Sequence, residues 1–237
     1  MAVVTSAAPA PPPTPEPAVA SAAASPSAVP ATSAAPVEIR VEDFPAEEGF
    51  VVRGGAGTGQ AVLFGGVCAQ PQGYADAIKI AASSRVQLVA LRGDKPCSGE
   101  FRGWKFDLDG LSGRIDRTFR ALGLGPAHDV LLIGYSQGAS VAELLAAREP
   151  EKYTRVVLMA KPSKPEPWHF GKTKAVATMA GTKDAQQLMV SGSRALSAAG
   201  VRSRYFPLPG AAHGYMGDDP EGTFEKVFAW LYEAPAP

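Results

Sequence analysis

The feature that most constrains the fold is a tight turn between an apolar strand and a helix. Residues 128–133 form a short apolar run typical of a buried parallel strand, and residues 139–148 are rich in Ala, Leu and Glu, which favours a helix. Between them stands G-Y-S-Q-G at 134–138. So tight a turn accepts only very small residues two positions before and after its centre, and both are glycine. The pattern predicts that Ser136 is held on a strained backbone with its hydroxyl exposed.

A serine hydroxyl needs a base within hydrogen-bond reach to act as a nucleophile, and the chain has three histidines. His128 precedes the apolar run at the end opposite the serine, and His169 lies in a proline-rich loop. His213 follows a predicted late strand at 202–208 and lies in a loop of small residues. We therefore predict that His213 is the base. The alternative is a loop histidine without a catalytic role.

The third member of such a site is a carboxylate that orients the imidazole, and it should fall between the serine and the histidine in sequence. Asp184 follows a predicted strand at 175–180, where catalytic groups of open α/β sheets collect. We predict that Asp184 is this carboxylate. The alternative is that it caps a helix starting near Ala185, since Asp is a favoured N-cap. Glu166 is the second candidate, although its loop has no strand to anchor it.

Acyl transfer also needs donors aimed at the oxygen that becomes negative. One donor should be the backbone N–H of Gln137, directly after the serine, and the other should come from the loop after an earlier strand. Residues 61–64 are predicted as that strand, and paired glycines follow it. We assign the second donor to Val67, with Gly66 next in line. The glycines could instead serve a tight strand-to-helix turn.

These residues resemble the α/β-hydrolase superfamily: Ser136, Asp184 and His213, with G-Y-S-Q-G and the Gly-Gly pair at 65–66. Within it, the chain is similar to the carboxylesterase/acyl-thioesterase and dienelactone-hydrolase-like branches over about residues 51–232. The resemblance implies a serine hydrolase that cleaves a carboxylic ester or thioester through an acyl-enzyme, without a cofactor. Relatives often carry His-Gly where this chain has Gly-Gly, and that histidine mostly supports the loop.

Two other functions remain open. A small peptidase or amidase uses the same three residues, and a catalytically silent scaffold of this fold could bind a ligand or a partner. Within a hydrolase, Tyr135, Trp168 and Phe170 are candidates for walls that face the substrate, a small-molecule acyl ester. Their alternative is packing against the domain's own core or rim.

The rest of the chain alternates between strand and helix patterns, which predicts a single α/β domain with a mostly parallel sheet and helices on both faces. Extended residues within 37–52 could add antiparallel strands at the edge. Strands are predicted at 61–64, 86–91, 130–134, 155–160, 175–180 and 202–208, and helices at 74–83, 111–122, 137–148, 185–199 and 223–232.

The first 36 residues differ in composition from the predicted domain at 37–237. They contain 13 alanines and nine prolines with a single charge, Glu16, so we expect a disordered, extended tether. The segment lacks the basic region and unbroken apolar core of a signal peptide. Tethers of this kind often follow the signal or lipid anchor of exported bacterial proteins. We therefore favour a periplasmic, envelope-tethered or secreted protein, with a cytoplasmic enzyme as the alternative.

The two cysteines support export. Cys68 lies directly after the predicted oxyanion loop, and Cys97 lies in the loop after the next strand. Because both loops leave the carboxyl ends of neighbouring strands, the side chains could meet, and a disulfide would brace the oxyanion loop in an oxidising compartment. Two free thiols are the alternative.

Charge and spacing exclude several other classes of protein. The formal net charge is zero, which removes the electrostatic case for nucleic acid or an anionic membrane surface. The cysteines and histidines lack the spacing of a zinc site, so we expect no metal. No apolar run is long enough to span a bilayer.

Overall fold

The computed structural model describes residues 38–233. The predicted tether at 1–36 therefore lies outside the described residues. Within residues 38–233, no helix is both long and apolar enough to cross a membrane.

Residues 38–233 contain ten strands and six helices, which include the predicted alternating elements and a short hairpin within residues 95–103 that the sequence did not predict. The strands are β1 (Arg40–Phe44), β2 (Gly49–Arg53), β3 (Gly59–Phe64), β4 (Val86–Leu91), β5 (Lys95–Pro96), β6 (Arg102–Gly103), β7 (Val130–Tyr135), β8 (Tyr153–Met159), β9 (Ala175–Gly181) and β10 (Ser203–Leu208). The helices are α1 (Pro71–Asp76), α2 (Lys79–Ser83), α3 (Leu108–Ala121), α4 (Gln137–Arg148), α5 (Gln187–Ala198) and α6 (Pro220–Tyr232), with 3₁₀ turns at Pro45–Glu47 and Pro167–Phe170.

Eight of the strands form one sheet in the order β1-β2-β4-β3-β7-β8-β9-β10. β2 pairs antiparallel with both β1 and β4, and the remaining neighbours are parallel. This confirms the mostly parallel sheet, and the antiparallel edge strands at 40–44 and 49–53 nearly coincide with the predicted range of 37–52. β5 and β6 form a separate short hairpin.

Both faces of the sheet are covered, because successive side chains of a strand point to opposite sides. In β3, Leu63 packs in a core with α1, α2 and α6, whereas its neighbours Val62 and Phe64 pack in a second core with α3, α4 and α5. Burial on both faces explains why the central strands are continuous apolar runs in the sequence.

One predicted helix differs in the structure. We expected residues 74–83 to form a single helix. Instead, α1 begins earlier, at Pro71, and the helical conformation is interrupted at Ile78 before α2 begins. Ile78 has φ −130°, outside the helical region, and its side chain is fully buried. The break is consistent with tertiary packing overriding local helix propensity.

The parallel strands place their following loops at one edge of the sheet. β3, β7, β9 and β10 run in the same direction, so the loops at 65–67, 136, 182–186 and 209–217 all leave the same edge. Every predicted residue of the triad and the oxyanion loop is in one of these connections or at the start of α4.

Candidate active site

Ser136 occupies the turn between β7 and α4 with φ 52° and ψ −115°. A positive φ is unfavourable for a residue with a side chain, and such strain costs on the order of 1–3 kcal/mol. The turn is held by two backbone hydrogen bonds: the Ser136 N–H donates to the Met159 carbonyl at 2.8 Å, and the Ala139 N–H donates to the Ser136 carbonyl at 3.0 Å. The strained backbone at Ser136 agrees with the sequence prediction.

The two glycines of G-Y-S-Q-G are required by close backbone contacts. A Cβ added to Gly134 would lie 2.3 Å from the carbonyl oxygen of Gly138, and one added to Gly138 would lie 2.2 Å from that of Phe64. Both distances are far below van der Waals contact. Any larger residue would push α4 away from β7 and β3.

Ser136, His213 and Asp184 form a continuous line of hydrogen bonds. The Ser136 Oγ lies 3.2 Å from Nε2 of His213, and Nδ1 of His213 lies 2.8 Å from Oδ2 of Asp184. With the imidazole proton on Nδ1, the carboxylate accepts from the ring and the serine hydroxyl donates to Nε2. His213 is 77 positions after Ser136 and 29 positions after Asp184 in the sequence, and the fold brings it within hydrogen-bond distance of both.

Asp184 is positioned by its loop rather than by a helix. Its N–H donates to the Gly181 carbonyl at 3.0 Å, and its Oδ1 accepts from the Ala185 N–H at 2.7 Å. The N-cap of α5 is Gln186, so the alternative role of Asp184 as the helix cap is not observed. One carboxylate oxygen is held by the backbone, and the other faces His213.

Tyr135 supports the loop that carries His213. Its hydroxyl accepts a hydrogen bond from the Gly214 N–H, and its ring stacks on Tyr74 with centroids 4.9 Å apart. The side chain is 2% exposed, and burial raises the pKa of its phenol to about 12. This environment matches packing against the core, the alternative to a substrate-facing wall. Nothing in the sequence around Tyr135, the residue before Ser136, indicated this support.

The predicted oxyanion loop lies against the serine. A Cβ added to Gly66 would be 3.4 Å from the Cβ of Ser136, and Val67 follows in the exposed turn. Trp104 holds the loop from behind, because its Nε1–H donates to the Gly65 carbonyl at 2.9 Å. Its backbone N–H donates to the side-chain oxygen of Gln137 at 3.1 Å. Sequence reasoning missed Trp104, which lies in an irregular segment without periodicity.

The two cysteines meet. The sulfur atoms of Cys68 and Cys97 lie 2.09 Å apart, a disulfide distance. The bond joins the residue after Val67 to the β5–β6 hairpin, and the Ala69 N–H adds a hydrogen bond to the Arg102 carbonyl at 3.1 Å. The predicted oxyanion loop is therefore tied to a neighbouring element, and the two cysteines form a disulfide rather than two free thiols.

The proline-rich loop at 162–170 is organised by a buried carboxylate on α4. Glu143 accepts from the Glu166 N–H at 2.8 Å and lies 2.8 Å from Nδ1 of His169, and its other oxygen lies 2.9 Å from Nζ of Lys161. Glu166 and His169 thus belong to this network and not to the hydrogen-bonded line of the triad.

The other two candidate wall residues differ in exposure. Phe170 is fully buried in the core, whereas Trp168 is 74% exposed. The remaining histidine, His128, is exposed and precedes β7 at the end opposite Ser136. Among residues 38–233, no group of three or more metal-ligating side chains could hold a metal ion.

No protein-family model matches the chain, and no curated protein sequence matches it. Solved structures are similar in fold at low identity. The fluorophosphonate-binding serine hydrolase FphF of Staphylococcus aureus is 10% identical, with a TM-score of 0.60 over 84% of this chain and 100% of that one. A hyperthermophilic esterase of the archaeon Pyrobaculum calidifontis is 15% identical, with a TM-score of 0.58 over 81% and 85%. A predicted CIB-like hydrolase of Thermoplasma acidophilum is 15% identical, with a TM-score of 0.59 over 82% and 98%.

Proposed function

We propose that this chain, which has the α/β-hydrolase fold, is a serine hydrolase that cleaves a carboxylic ester or thioester. The observation that carries the proposal is the line of hydrogen bonds from Ser136 through His213 to Asp184, with separations of 3.2 and 2.8 Å. The strained serine backbone and the similarity in fold to hydrolases of other organisms support it.

The reaction would proceed in two acyl transfers. The Ser136 Oγ attacks the acyl carbonyl while His213 Nε2 takes its proton, and the resulting imidazolium protonates the leaving alcohol or thiol. Water then attacks the acyl-enzyme in the same way, with His213 again as the base, and releases the carboxylic acid. Asp184 keeps the proton on Nδ1 and stabilises the imidazolium that forms in each step.

The tetrahedral intermediates carry a negative oxygen that must be bound. We assign the donors to the backbone N–H groups of Gln137 and Val67, with the Gly66 N–H as the second choice. The position of Gly66 against Ser136 and the bonds that hold the loop through Trp104 and the disulfide support this assignment. Removing one such donor in other enzymes costs roughly 10²–10³ in kcat.

A location outside the cytoplasm is also proposed. The Cys68–Cys97 disulfide suits an oxidising compartment, which supports a periplasmic, envelope-tethered or secreted protein. Partial proteolysis of the protein under reducing and under oxidising conditions in the host would report whether Cys68 and Cys97 are bonded or reduced in the cell.

A fluorophosphonate probe tests the function directly, because it reacts covalently with an activated serine. We expect the full-length protein to be labelled, and Ser136→Ala and His213→Ala to lose at least 99% of the labelling rate, a loss of roughly 10²-fold or more. Ser191→Ala and His128→Ala are matched controls: the Ser191 hydroxyl bonds to backbone carbonyls of its own helix, α5, and His128 is exposed before β7 at the end opposite Ser136. They should be labelled at the normal rate.

Failure of the intact, folded protein to label would reject the hydrolase proposal and favour a ligand-binding scaffold. Once labelling is established, p-nitrophenyl esters, thioesters and p-nitroanilides of the same acyl group separate the substrate classes. We expect kcat/KM to be higher for the ester and thioester than for the anilide. The opposite order would indicate an amidase or peptidase.

A further inference from the structure

A cleft of about 550 Å³ opens beside the triad, within the size range of ordinary ligand sites. Three parts of the chain form it: the oxyanion loop with the start of α1, the tip of the β5–β6 hairpin, and the loop after His213. Eleven residues line it, among them Val67, Gln70, Tyr74, Phe101, Gly214 and Tyr215.

The cleft adjoins the reacting centre at two points. Val67, which lines it, directly follows Gly66, and Gly66 lies against Ser136. Gly214, which also lines it, directly follows His213 and is held by the Tyr135 hydroxyl. The cleft is therefore the neighbouring surface for a substituent of a carbonyl group bound at Ser136.

The surface of the cleft is mostly apolar; its polar side chains are those of Gln70, Tyr74 and Tyr215, and Nε2 of Gln70 donates to the Glu100 carboxylate at 3.2 Å. None of its described lining residues is acidic or basic. Val67, Phe101 and Tyr215 are 59%, 47% and 56% exposed, although large apolar side chains usually gain from burial. Burial raises the pKa of the Tyr74 phenol, so Tyr74 also stays neutral in ordinary buffers.

We propose that this cleft binds the acyl group of the substrate, and that this group is an uncharged aliphatic chain. The inference rests on the proposed ester hydrolysis, and it names the substrate class of that site. Phe101 on the hairpin and Tyr215 after the histidine are the specificity-determining side chains. An acyl group with a terminal carboxylate is a poor substrate, because its charge would lose water without gaining a partner.

The acyl group is favoured over the alcohol for a geometric reason. The acyl carbonyl is anchored at the oxyanion loop throughout both transfers, whereas the alcohol departs after the first. Eight of the eleven lining residues belong to that loop, its continuation into α1, and the hairpin tied to it by the disulfide. The chain attached to the anchored carbonyl continues along these residues.

The test is a series of p-nitrophenyl esters, from acetate to octanoate, measured on the full-length protein. We expect kcat/KM to rise by roughly fourfold for each methylene that the cleft buries. Phe101→Ala should lower the octanoate-to-acetate ratio of kcat/KM by roughly five- to tenfold. Phe101→Asp should lower the ratio further, because it places a charge beside the chain.

Phe106→Ala is the matched control. Phe106 is 40% exposed and lies on the same connection between β4 and α3, but it does not line the cleft. Its octanoate-to-acetate ratio of kcat/KM should equal that of the original protein. Trp168→Ala tests the other exposed residue that was a candidate for a substrate-facing wall, and under this proposal its ratio is also unchanged.

The possible failures are distinguishable. A protein that fluorophosphonate does not label would overturn both the function and this inference. Normal labelling with an unchanged octanoate-to-acetate ratio in both Phe101 variants would overturn only the proposal that the cleft binds the acyl group. A ratio that falls to near one in Trp168→Ala would place the acyl chain along the loop at 162–170 and also reject it. Loss of discrimination among acetate esters of different alcohols in Phe101→Ala, with the acyl series unchanged, would assign the cleft to the alcohol and reject the proposal.

Discussion

The hydroxyl of Tyr135, the residue before the proposed nucleophile Ser136, contacts the loop that carries His213. It accepts the N–H of Gly214, the residue after His213, and its buried ring is fixed by stacking on Tyr74. One hydrogen bond therefore connects the end of β7 to the loop that carries the proposed base. Small displacements of a base are costly, because proton transfer requires hydrogen-bond distance.

Replacing Tyr135 by Phe should loosen the histidine loop while keeping the ring packing. A lost neutral hydrogen bond contributes about 0.5–1.5 kcal/mol, so we expect kcat to fall roughly two- to tenfold with KM nearly unchanged. Tyr153→Phe is the control, because it removes another buried tyrosine hydroxyl, bonded to Ser112 at 2.9 Å, at the start of β8. If Tyr135→Phe raises KM and leaves kcat alone, the residue faces the substrate instead.

The β5–β6 hairpin acts as a brace at the scale of secondary-structure elements. It is joined to the oxyanion loop by the Cys68–Cys97 disulfide and by the Ala69–Arg102 hydrogen bond, and Trp104 directly after it binds the Gly65 carbonyl. The donors of an oxyanion site act through preorganisation. A brace that keeps the loop in place should therefore affect both stability and rate.

Removing both cysteines as Cys68→Ser/Cys97→Ser should lower the free energy of unfolding by about 2–4 kcal/mol. We also expect a lower rate of fluorophosphonate labelling, because the oxyanion loop loses one attachment. Denaturant unfolding and labelling kinetics measure the two effects. Dithiothreitol should reproduce them in the original protein and have no effect on the double variant; equal unfolding curves with and without reductant would contradict the bracing role.

Across the whole molecule, a group of charged residues joins three neighbouring strands at the end of the sheet opposite the proposed site. Burial raises the pKa of Asp129, but this is outweighed by hydrogen bonds from Lys174 and Thr154 and by Arg155, so that the pKa falls to about 2. Nζ of Lys174 and Nη1 of Arg155 lie 2.8 and 2.9 Å from its Oδ1. Asp129 thereby joins the starts of β7, β8 and β9.

The lowered pKa makes a prediction about acid stability. Because the folded pKa of Asp129 is below its usual value of 3.8, the ionised form stabilises the fold above about pH 4, and this contribution is lost as the pH falls toward 2. Asp129→Asn should therefore lower the melting temperature at pH 7, and the difference from the original protein should shrink below pH 4.

Asn is the suitable replacement because Asp129 has φ 49°, and Asn tolerates this left-handed conformation. Thermal unfolding monitored by circular dichroism from pH 7 to pH 2.5 gives the comparison. A difference that stays constant over this range would show that the charge of Asp129 does not stabilise the fold. The kcat at pH 7 should be unchanged, since the residue is at the far end of β7 from Ser136.

Much of the architecture could be predicted because its signals are local. Helix α4 spans 137–148 as predicted, and strand β4 spans 86–91 as predicted, since buried parallel strands and helices differ in periodicity and in length. The chain order of serine, acid and histidine likewise identified three residues that lie in one line of hydrogen bonds. Their catalytic roles stay a prediction.

Local patterns along the chain predict the strand–turn–helix around Ser136, the glycines at 134 and 138, and the alternation that leads to a parallel sheet. The break at Ile78, the support of the histidine loop by Tyr135, and the hydrogen bond from Trp104 behind the predicted oxyanion loop became visible only in the folded structure. The two groups of features differ in how far apart along the chain their interacting residues lie. A turn or a period is set by residues within about ten positions, whereas the last three features depend on packing and hydrogen bonds between segments far apart in the chain, which no local pattern records.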